Sequence, residues 1–331
     1  MSIPFTVIGG FLGAGKTTLL NRVLSQSAGI RYAVLVNDFG ALNIDAGLIA
    51  AHDGETIALA NGCICCSIGD SLVDSLVALM ERPDIADHIL VEASGVSDPA
   101  RIADVAVIDP ALSLDGVVVM VDAASLGAQI DDRLIGETVR RQLVAADLLV
   151  CNKMDLLSTE ERTAVLARLA ELAPRTPVVP AVQADLPLAA VLGQRGETAR
   201  PAVPDGHRHD DHEDSFARAV IVADEPPRRA AFEASLTALP PSVLRGKGHI
   251  RFAEAPAEAC LLHLVGRRWS LSAPTLSAPT LSAPTPATAD QPACRLVFIG
   301  TPEMPDEAGL RACLRLPAPP RVAACSSKEY K

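Results

Sequence analysis

Short and nearly uninterrupted apolar runs recur along the first half of the chain, all but the first closed by a polar or acidic residue. Phe5–Ile8, Tyr32–Val36, His88–Val91, Val117–Val121, Asp147–Cys151 and Val178–Val182 are of strand length and do not alternate. Runs of that kind predict strands buried on both faces, as in a parallel sheet covered by helices. Between them the apolar spacing changes to a helical period, with Leu19, Leu20, Val23 and Leu24 after Lys16, and Leu72, Leu76 and Leu79 within Asp70–Met80. Leu134–Val144 and Thr159–Leu172 read as further helices. The alternation predicts an α/β fold with a mostly parallel, doubly wound sheet.

Beyond Val182 the pattern breaks. Residues 186–214 are interrupted by Pro and Gly and end in a His- and Asp-rich run, which reads as a flexible linker. From Ser215 strands and helices return: Ala217–Val222, a helix over Arg229–Leu239, a turn at Arg245–Gly248 leading to a strand, Ala259–Val265, Arg295–Gly300 and a helix over Asp306–Leu314. This mixture predicts a smaller C-terminal α+β domain. Leu-Ser-Ala-Pro-Thr occurs three times over residues 271–285, and the proline in each unit forbids a helix or central strand there. The repeat is expected to be an expanded hairpin loop. The organisation expected is therefore 1–185, linker 186–214, 215–316 and a disordered tail 317–331.

Charge and cysteine usage narrow the function. The 331 residues include 40 acidic and 29 basic ones, a formal charge of −11. That balance argues against nucleic acid or an anionic membrane as the main partner. No apolar run reaches membrane-spanning length, and Pro4, Gly9 and Gly10 interrupt any signal-like core, so a cytoplasmic location is expected. Of eight cysteines, three lie within Cys63–Cys66. In a reducing compartment such crowding points to metal or redox chemistry and not to a disulfide framework.

The first apolar run leads into Gly10-Phe11-Leu12-Gly13-Ala14-Gly15-Lys16-Thr17, which fits the phosphate-binding pattern G-x-x-x-x-G-K-[ST] in its required strand–turn–helix setting. Gly13, Ala14, Gly15 and Thr18 belong to the expected cradle, where backbone amides and a helix N-terminus receive phosphate. Lys16 is expected to reach the β/γ oxygens and Thr17 to hold Mg²⁺. A carboxylate ends each of two later runs. Asp38, after Tyr32–Val36, is placed for magnesium or its waters, and Asp45 reads equally well as a γ-phosphate sensor or as an incidental loop acid. Glu92 stands where the second-motif acid of phosphate-loop enzymes sits, to hold Mg²⁺ through a water or to orient the attacking water, with Gly95 beside the γ-phosphate. Asn152-Lys153-Met154-Asp155 follows the fifth run. In N-K-x-D the Asp accepts from guanine N1–H and N2–H₂, so the nucleotide expected is GTP. ATP-driven phosphotransfer is disfavoured by the same residues.

Cys63, Cys65 and Cys66 offer three thiolates, a set that suits Zn²⁺, Cu⁺ or Co²⁺ and leaves a fourth ligand to come from elsewhere. His207, His209 and His212 lie among acids and read equally as a secondary, low-affinity metal-collecting loop or as a solvated linker.

Together these motifs resemble the CobW-type metallochaperone GTPases, relatives of the nickel-inserting GTPases of urease and hydrogenase maturation. The resemblance rests on GGFLGAGKTT (9–18), VNDFG (36–40), NGCICC (61–66), VEASGVSDP (91–99) and NKMD (152–155). The family commonly has Glu where this chain has Asp38. The resemblance implies a metal site at Cys63, Cys65 and Cys66, with Glu92 serving Mg²⁺–GTP. It implies GTP hydrolysis, with Lys16, Glu92 and Asp38 as the catalytic set, coupled to delivery of a transition metal to a client metalloprotein. Zinc is the first expectation for the cargo and cobalt the second; the protein would be a monomer or a nucleotide- or metal-dependent homodimer. The alternative is a metal-buffering or sensing module in which nucleotide only regulates metal affinity.

Overall fold

The computed structural model describes residues 2–26, 30–36, 57–60, 76, 79, 86–192, 216–273 and 292–316. Among these, the first part forms β1 (Ile3–Gly10), α1 (Lys16–Ser25), β2 (Tyr32–Val36), β3 (Ile57–Ala60), β4 (His88–Glu92), α2 (Pro99–Ile108) and β5 (Leu112–Asp122). It continues with α3 (Leu126–Asp131), α4 (Gly136–Ala145), β6 (Leu148–Asn152), a 3-10 turn at Met154–Leu156, α5 (Thr159–Leu172), β7 (Val178–Pro180) and α6 (Leu188–Val191). The strands form one seven-stranded parallel sheet in the order β3-β2-β4-β1-β5-β6-β7.

Both faces of its central strands β2, β4, β1, β5 and β6 are buried, which is why those strands read as continuous apolar runs. On one face Phe5, Val7, Ile89, Val91 and Val119 pack with Ile102 of α2, Leu143 of α4 and Leu169 of α5. On the other, Ile8, Leu90, Val118 and Met120 pack with Leu19, Leu20 and Val23 of α1 and with Ala190 and Val191 of α6. Leu76 and Leu79, expected on one helix face, are helical and buried in the first of these clusters. No helix among the described residues is long and apolar enough to cross a membrane.

The C-terminal domain comprises β8 (Ala217–Ala223), α7 (Arg229–Thr237), β9 (Val243–Phe252), β10 (Ala255–Val265), β11 (Arg268–Ser272), β12 (Cys294–Gly300) and α8 (Glu307–Cys313). Its sheet is antiparallel, in the order β11-β10-β9-β12-β8. Phe232 and Leu236 of α7, Leu310 of α8 and Leu314 just after it cover one face of the sheet through Ile250, Leu262, Leu296 and Phe298.

Several expectations change. Residues 186–192, assigned to the flexible linker, carry α6, and Leu186, Ala190, Val191 and Leu192 are buried against the parallel sheet and Leu244. Pro187, which suggested a connector there, stands immediately before the helix, where it is tolerated. Arg245–Gly248 is not a turn but part of the ten-residue strand β9. Its glycines serve close packing: a Cβ on Gly246 would lie 2.6 Å from the Phe298 ring, and one on Gly248 would lie 2.0 Å from the Arg295 carbonyl oxygen. The repeat-bearing connection from β11 to β12 is not a hairpin, because β10 and β9 lie between those two strands in the sheet.

A buried polar cluster joins the two sheets. Asp115 sits at an irregularity in the pairing of β1 with β5 and is 4% exposed. It accepts from Thr6 Oγ1 at 3.0 Å and faces Arg245 Nη1 at 3.3 Å and His263 Nε2 at 3.0 Å. His88 Nε2 lies 2.8 Å from Thr6 Oγ1. Arg245 Nε donates to the Ala190 carbonyl at 2.9 Å, and its Nη2 donates to the Val191 carbonyl, so one guanidinium ties α6 and β5 to β9. Burial pushes the Asp115 carboxyl up, but the Arg245 charge, the His263 hydrogen bond and the nearby imidazoles outweigh it and hold the group well below its usual range. A second link pairs Arg268 Nε with Asp147 at 3.0 Å, while Asp147 also accepts from the Val117 amide.

Candidate nucleotide site at the carboxyl edge of the parallel sheet

The loop between β1 and α1 is shaped by its glycines. Gly10 has φ +128°, and a Cβ there would meet the Met120 carbonyl oxygen at 2.2 Å. Gly15 has φ +107°, with a Cβ position 2.5 Å from Asn152 Nδ2. Both positions require glycine for conformation and for space. The loop closes on the Phe11 carbonyl, which accepts from the Ala14 amide at 3.2 Å and from Lys16 Nζ at 3.3 Å. Lys16 is buried, and α1 opens there with no side-chain cap. An uncapped helix start beside a buried ammonium is a physically favourable place for phosphate.

Glu92 ends β4 at 2% exposure, and its Oε1 accepts from Thr17 Oγ1 at 2.9 Å. Thus the hydroxyl and the carboxylate predicted to serve one magnesium ion are in direct contact. The next turn is pinned from α4: Gln142 Nε2 donates to the Gly95 carbonyl at 3.1 Å and to the Ser97 carbonyl at 2.8 Å. A Cβ on Gly95 would lie 2.8 Å from the Leu12 amide nitrogen and 2.5 Å from its side chain, so this turn packs directly on the phosphate loop. Asp98 then caps α2 by accepting from the Ala100 amide at 3.0 Å, with Pro99 at the first helical turn.

The Asn152–Asp155 segment leaves β6 at the same edge. Asn152 is buried; its Nδ2 donates to the Ala14 carbonyl at 3.0 Å, and its Oδ1 accepts from the Ala184 amide at 2.8 Å. One side chain therefore couples the phosphate loop to the loop after β7. That second loop holds Gln183 and Ala184 at φ +50° and +55°, braced by Arg22 through the Gln183 carbonyl and Asp185. Lys153 has φ +62°, and its Nζ reaches Asp122 Oδ2 at 2.6 Å. Asp155 stands exposed on the 3-10 turn, as does Thr18 on α1. Gly13 adopts φ +76° in open space.

The structure thus brings Lys16, Thr17, Glu92, Gly95, Asn152 and Lys153 to one edge. Asp122, Gln142, Arg22 and the Gln183–Ala184 turn belong with them, although sequence reasoning did not single them out for the site. Gln142 did carry a signal, since an amide on the apolar face of a helix needs buried partners. Asp38, Asp45, Cys63, Cys65, Cys66, His207, His209 and His212 lie outside the described residues. Among the described residues no group of three or more His, Cys, Asp and Glu is arranged to hold a metal. Cys151 is fully buried, and burial, with the Asp122 charge, pushes its thiol up to about 12, so it stays a neutral core residue.

Residues 4–180 match the family described as CobW/HypB/UreG, nucleotide-binding domain, and residues 216–315 match the cobalamin synthesis protein cobW C-terminal domain. A Sinorhizobium protein named zinc chaperone CobW is 31% identical, the alignment covering 94% of this chain and 96% of the relative. The Escherichia coli zinc chaperone YjiA is 31% identical over 68% of this chain and 73% of its own length. A crystal structure of the Zn(II)-bound YjiA GTPase superposes over 95% of this chain and 98% of its own, with 24% identity and a TM-score of 0.44.

Proposed function

Since the chain belongs to the CobW/HypB/UreG family and is a P-loop GTPase, we propose that it uses the GTP cycle to load a transition metal and pass it to a client protein. Zinc is the cargo favoured, because relatives covering most of the chain bear the name zinc chaperone. Cobalt suits the same thiolate chemistry and serves as a spectroscopic substitute. Cys63, Cys65 and Cys66 are the residues assigned to the cargo.

The observation that carries the reading is the Thr17–Glu92 hydrogen bond, set beside a loop that Asn152 ties to the N-K-M-D segment. Two hard oxygen donors at the start of an uncapped helix fit Mg²⁺, and Thr17 and Glu92 are the groups that would hold it. When bound, Mg²⁺ neutralises charge on the β- and γ-phosphates. Lys16 adds a buried positive charge at the same phosphates. Gln142 fixes the Gly95 turn against Leu12 and so limits how that turn can move when the γ-phosphate is lost. Asp155 is assigned to the guanine, and Lys153, whose Nζ is anchored by Asp122, stands two residues before it at the same edge. Asp38 is assigned to the water or magnesium shell.

Nucleotide preference tests the reading. Asp155→Asn replaces an acceptor by a group that complements xanthine, so the variant should lose GTP and gain xanthosine triphosphate in a competition assay. Wild-type protein that binds ATP as tightly as GTP would contradict the assignment.

A further inference from the structure

The second face of the C-terminal sheet, turned away from α7 and α8, has a charge unlike that of the rest of the chain. Side chains alternate along each strand, so Ile250 and Phe252 of β9 enter the helix-covered core while Lys247, His249 and Arg251 take the opposite face. Register extends this set: Arg295 of β12 lies beside His249 of β9 and Val222 of β8, and Arg218 of β8 lies beside Ile299. The neighbouring strands β8, β12 and β9 contain no Asp or Glu at any position, yet carry Arg218, Arg295, Arg245, Lys247 and Arg251. In a chain of formal charge −11, that is a local reversal of sign. Arg245 is taken up by Asp115 at the domain junction, whereas Arg218, His249 and Arg295 stand exposed.

The face is not only basic. Val220, Val222 and Val297 lie between the charges, with Val222 exposed and the other two half-buried. Phe252 and Phe298 belong to the helix-covered core, and no Phe, Tyr or Trp occupies this face in β8, β9 or β12. Binding of single-stranded nucleic acid draws on aromatic platforms for stacking as well as on positive charge. A sheet face of valines bordered by arginines instead matches the apolar centre and charged rim of a protein interface.

We propose that this face, centred on Val222, Val297 and Arg295, is a docking surface for an acidic polypeptide segment of the client protein, one that intersperses carboxylates with apolar residues. Opposite charges across the rim would speed encounter and set register, and the valines would supply the desolvated centre. The proposal deepens the delivery reading and rests on it for the identity of the partner. Its test requires neither turnover nor metal, so its failure is distinct from failure of that reading.

The experiment uses the full chain and a fluorescein-labelled peptide of alternating Glu-Glu and Val-Leu pairs, with a Lys-for-Glu peptide and a single-stranded RNA as comparators, all read by anisotropy. Wild-type protein should bind the acidic peptide preferentially and more weakly as salt rises. Arg218→Glu/Arg295→Glu should weaken binding by about tenfold or more, since rim charges act on encounter and salt dependence. Arg218→Gln/Arg295→Gln should fall between, which keeps the test valid if the reversed variant folds poorly. GTP binding serves as the folding control, because neither arginine belongs to the nucleotide site. No binding of the acidic peptide, binding indifferent to both variants, or preference for RNA or the Lys peptide would each overturn the proposal. So would a wild-type dimer that either variant dissolves, because the occupant would then be a second copy of this chain.

Discussion

Replacing Arg245 by Met should damage the protein far from its nucleotide site. Arg245 and Asp115 are each 4% exposed, and Nη1 lies 3.3 Å from the carboxylate. Methionine fills much of the volume but leaves Asp115 without its strongest counter-charge, and leaves the Ala190 and Val191 carbonyls without their donor. Breaking a buried pair by removing one partner costs about 3–5 kcal/mol, a large part of the stability of an ordinary domain. The cost should depend on pH with a definite sign. In the wild type the depressed Asp115 value adds stability above the unfolded carboxyl range near ~3.9, and that stability is lost as pH falls through the folded value. Without Arg245, burial pushes the carboxyl upward with only the imidazoles and Thr6 to oppose it, so protonation now relieves the variant. The difference between wild type and Arg245→Met should therefore be largest near neutral pH and shrink on acidification toward pH ~5. Urea unfolding followed by Trp269, the single tryptophan, reports this on the C-terminal sheet. Adding Asp115→Asn should restore much of the loss, because the stranded charge is gone. A loss below about 1 kcal/mol, or a double variant no better than Arg245→Met alone, would refute the reasoning.

Two further outcomes follow from the site. Gly95→Ala should raise the KM for GTP while leaving the fold intact, since its Cβ would press on the Leu12 side chain and amide; unchanged kinetics would show that the turn has room to move. Cys65→Ser and Cys66→Ser should each abolish the thiolate-to-Co²⁺ charge-transfer band, whereas Cys151→Ser should leave it intact, because that thiol is buried and protonated; a band lost only with Cys151→Ser would place the cargo elsewhere.

The parallel sheet was legible because burial on both faces writes itself as continuous apolar runs, and the phosphate loop because its glycines, Lys16 and Thr17 are consecutive. Strand β3 was not: Ile57-Ala58-Leu59-Ala60 is short, alanine favours strands weakly, and the adjoining cysteines drew the reading toward chemistry. Strand β11 was hidden in a similar way by the repeat that begins within it. The junction between the sheets lay beyond a local reading. Thr6, His88, Asp115, Arg245 and His263 are single polar residues in separate strands, and the contacts with Thr6 and Asp115 span 82 to 148 positions. Gly246 and Gly248 made the Arg245 segment look like a solvated turn, when they are there to let β9 approach Phe298 and Arg295. In the nucleotide site, the N-K-M-D motif was visible, but the bond from Asn152 to Ala14 depends on two strand ends meeting at one sheet edge.

Under the proposed function, nucleotide state should set metal affinity. The candidate cysteines fall in sequence between Asp38 and Glu92, so a metal held there and the γ-phosphate would bear on one stretch of chain. If GTP orders that stretch, part of the cost of assembling the thiolates is met before metal arrives. A zinc titration against a competing chelator, run on protein saturated with Mg²⁺–GTP and again with Mg²⁺–GDP, measures the coupling directly. The account predicts tighter zinc binding in the GTP state by roughly 5- to 150-fold, with GTP affinity raised by zinc to the same factor. Equal zinc affinity in the two states would contradict it.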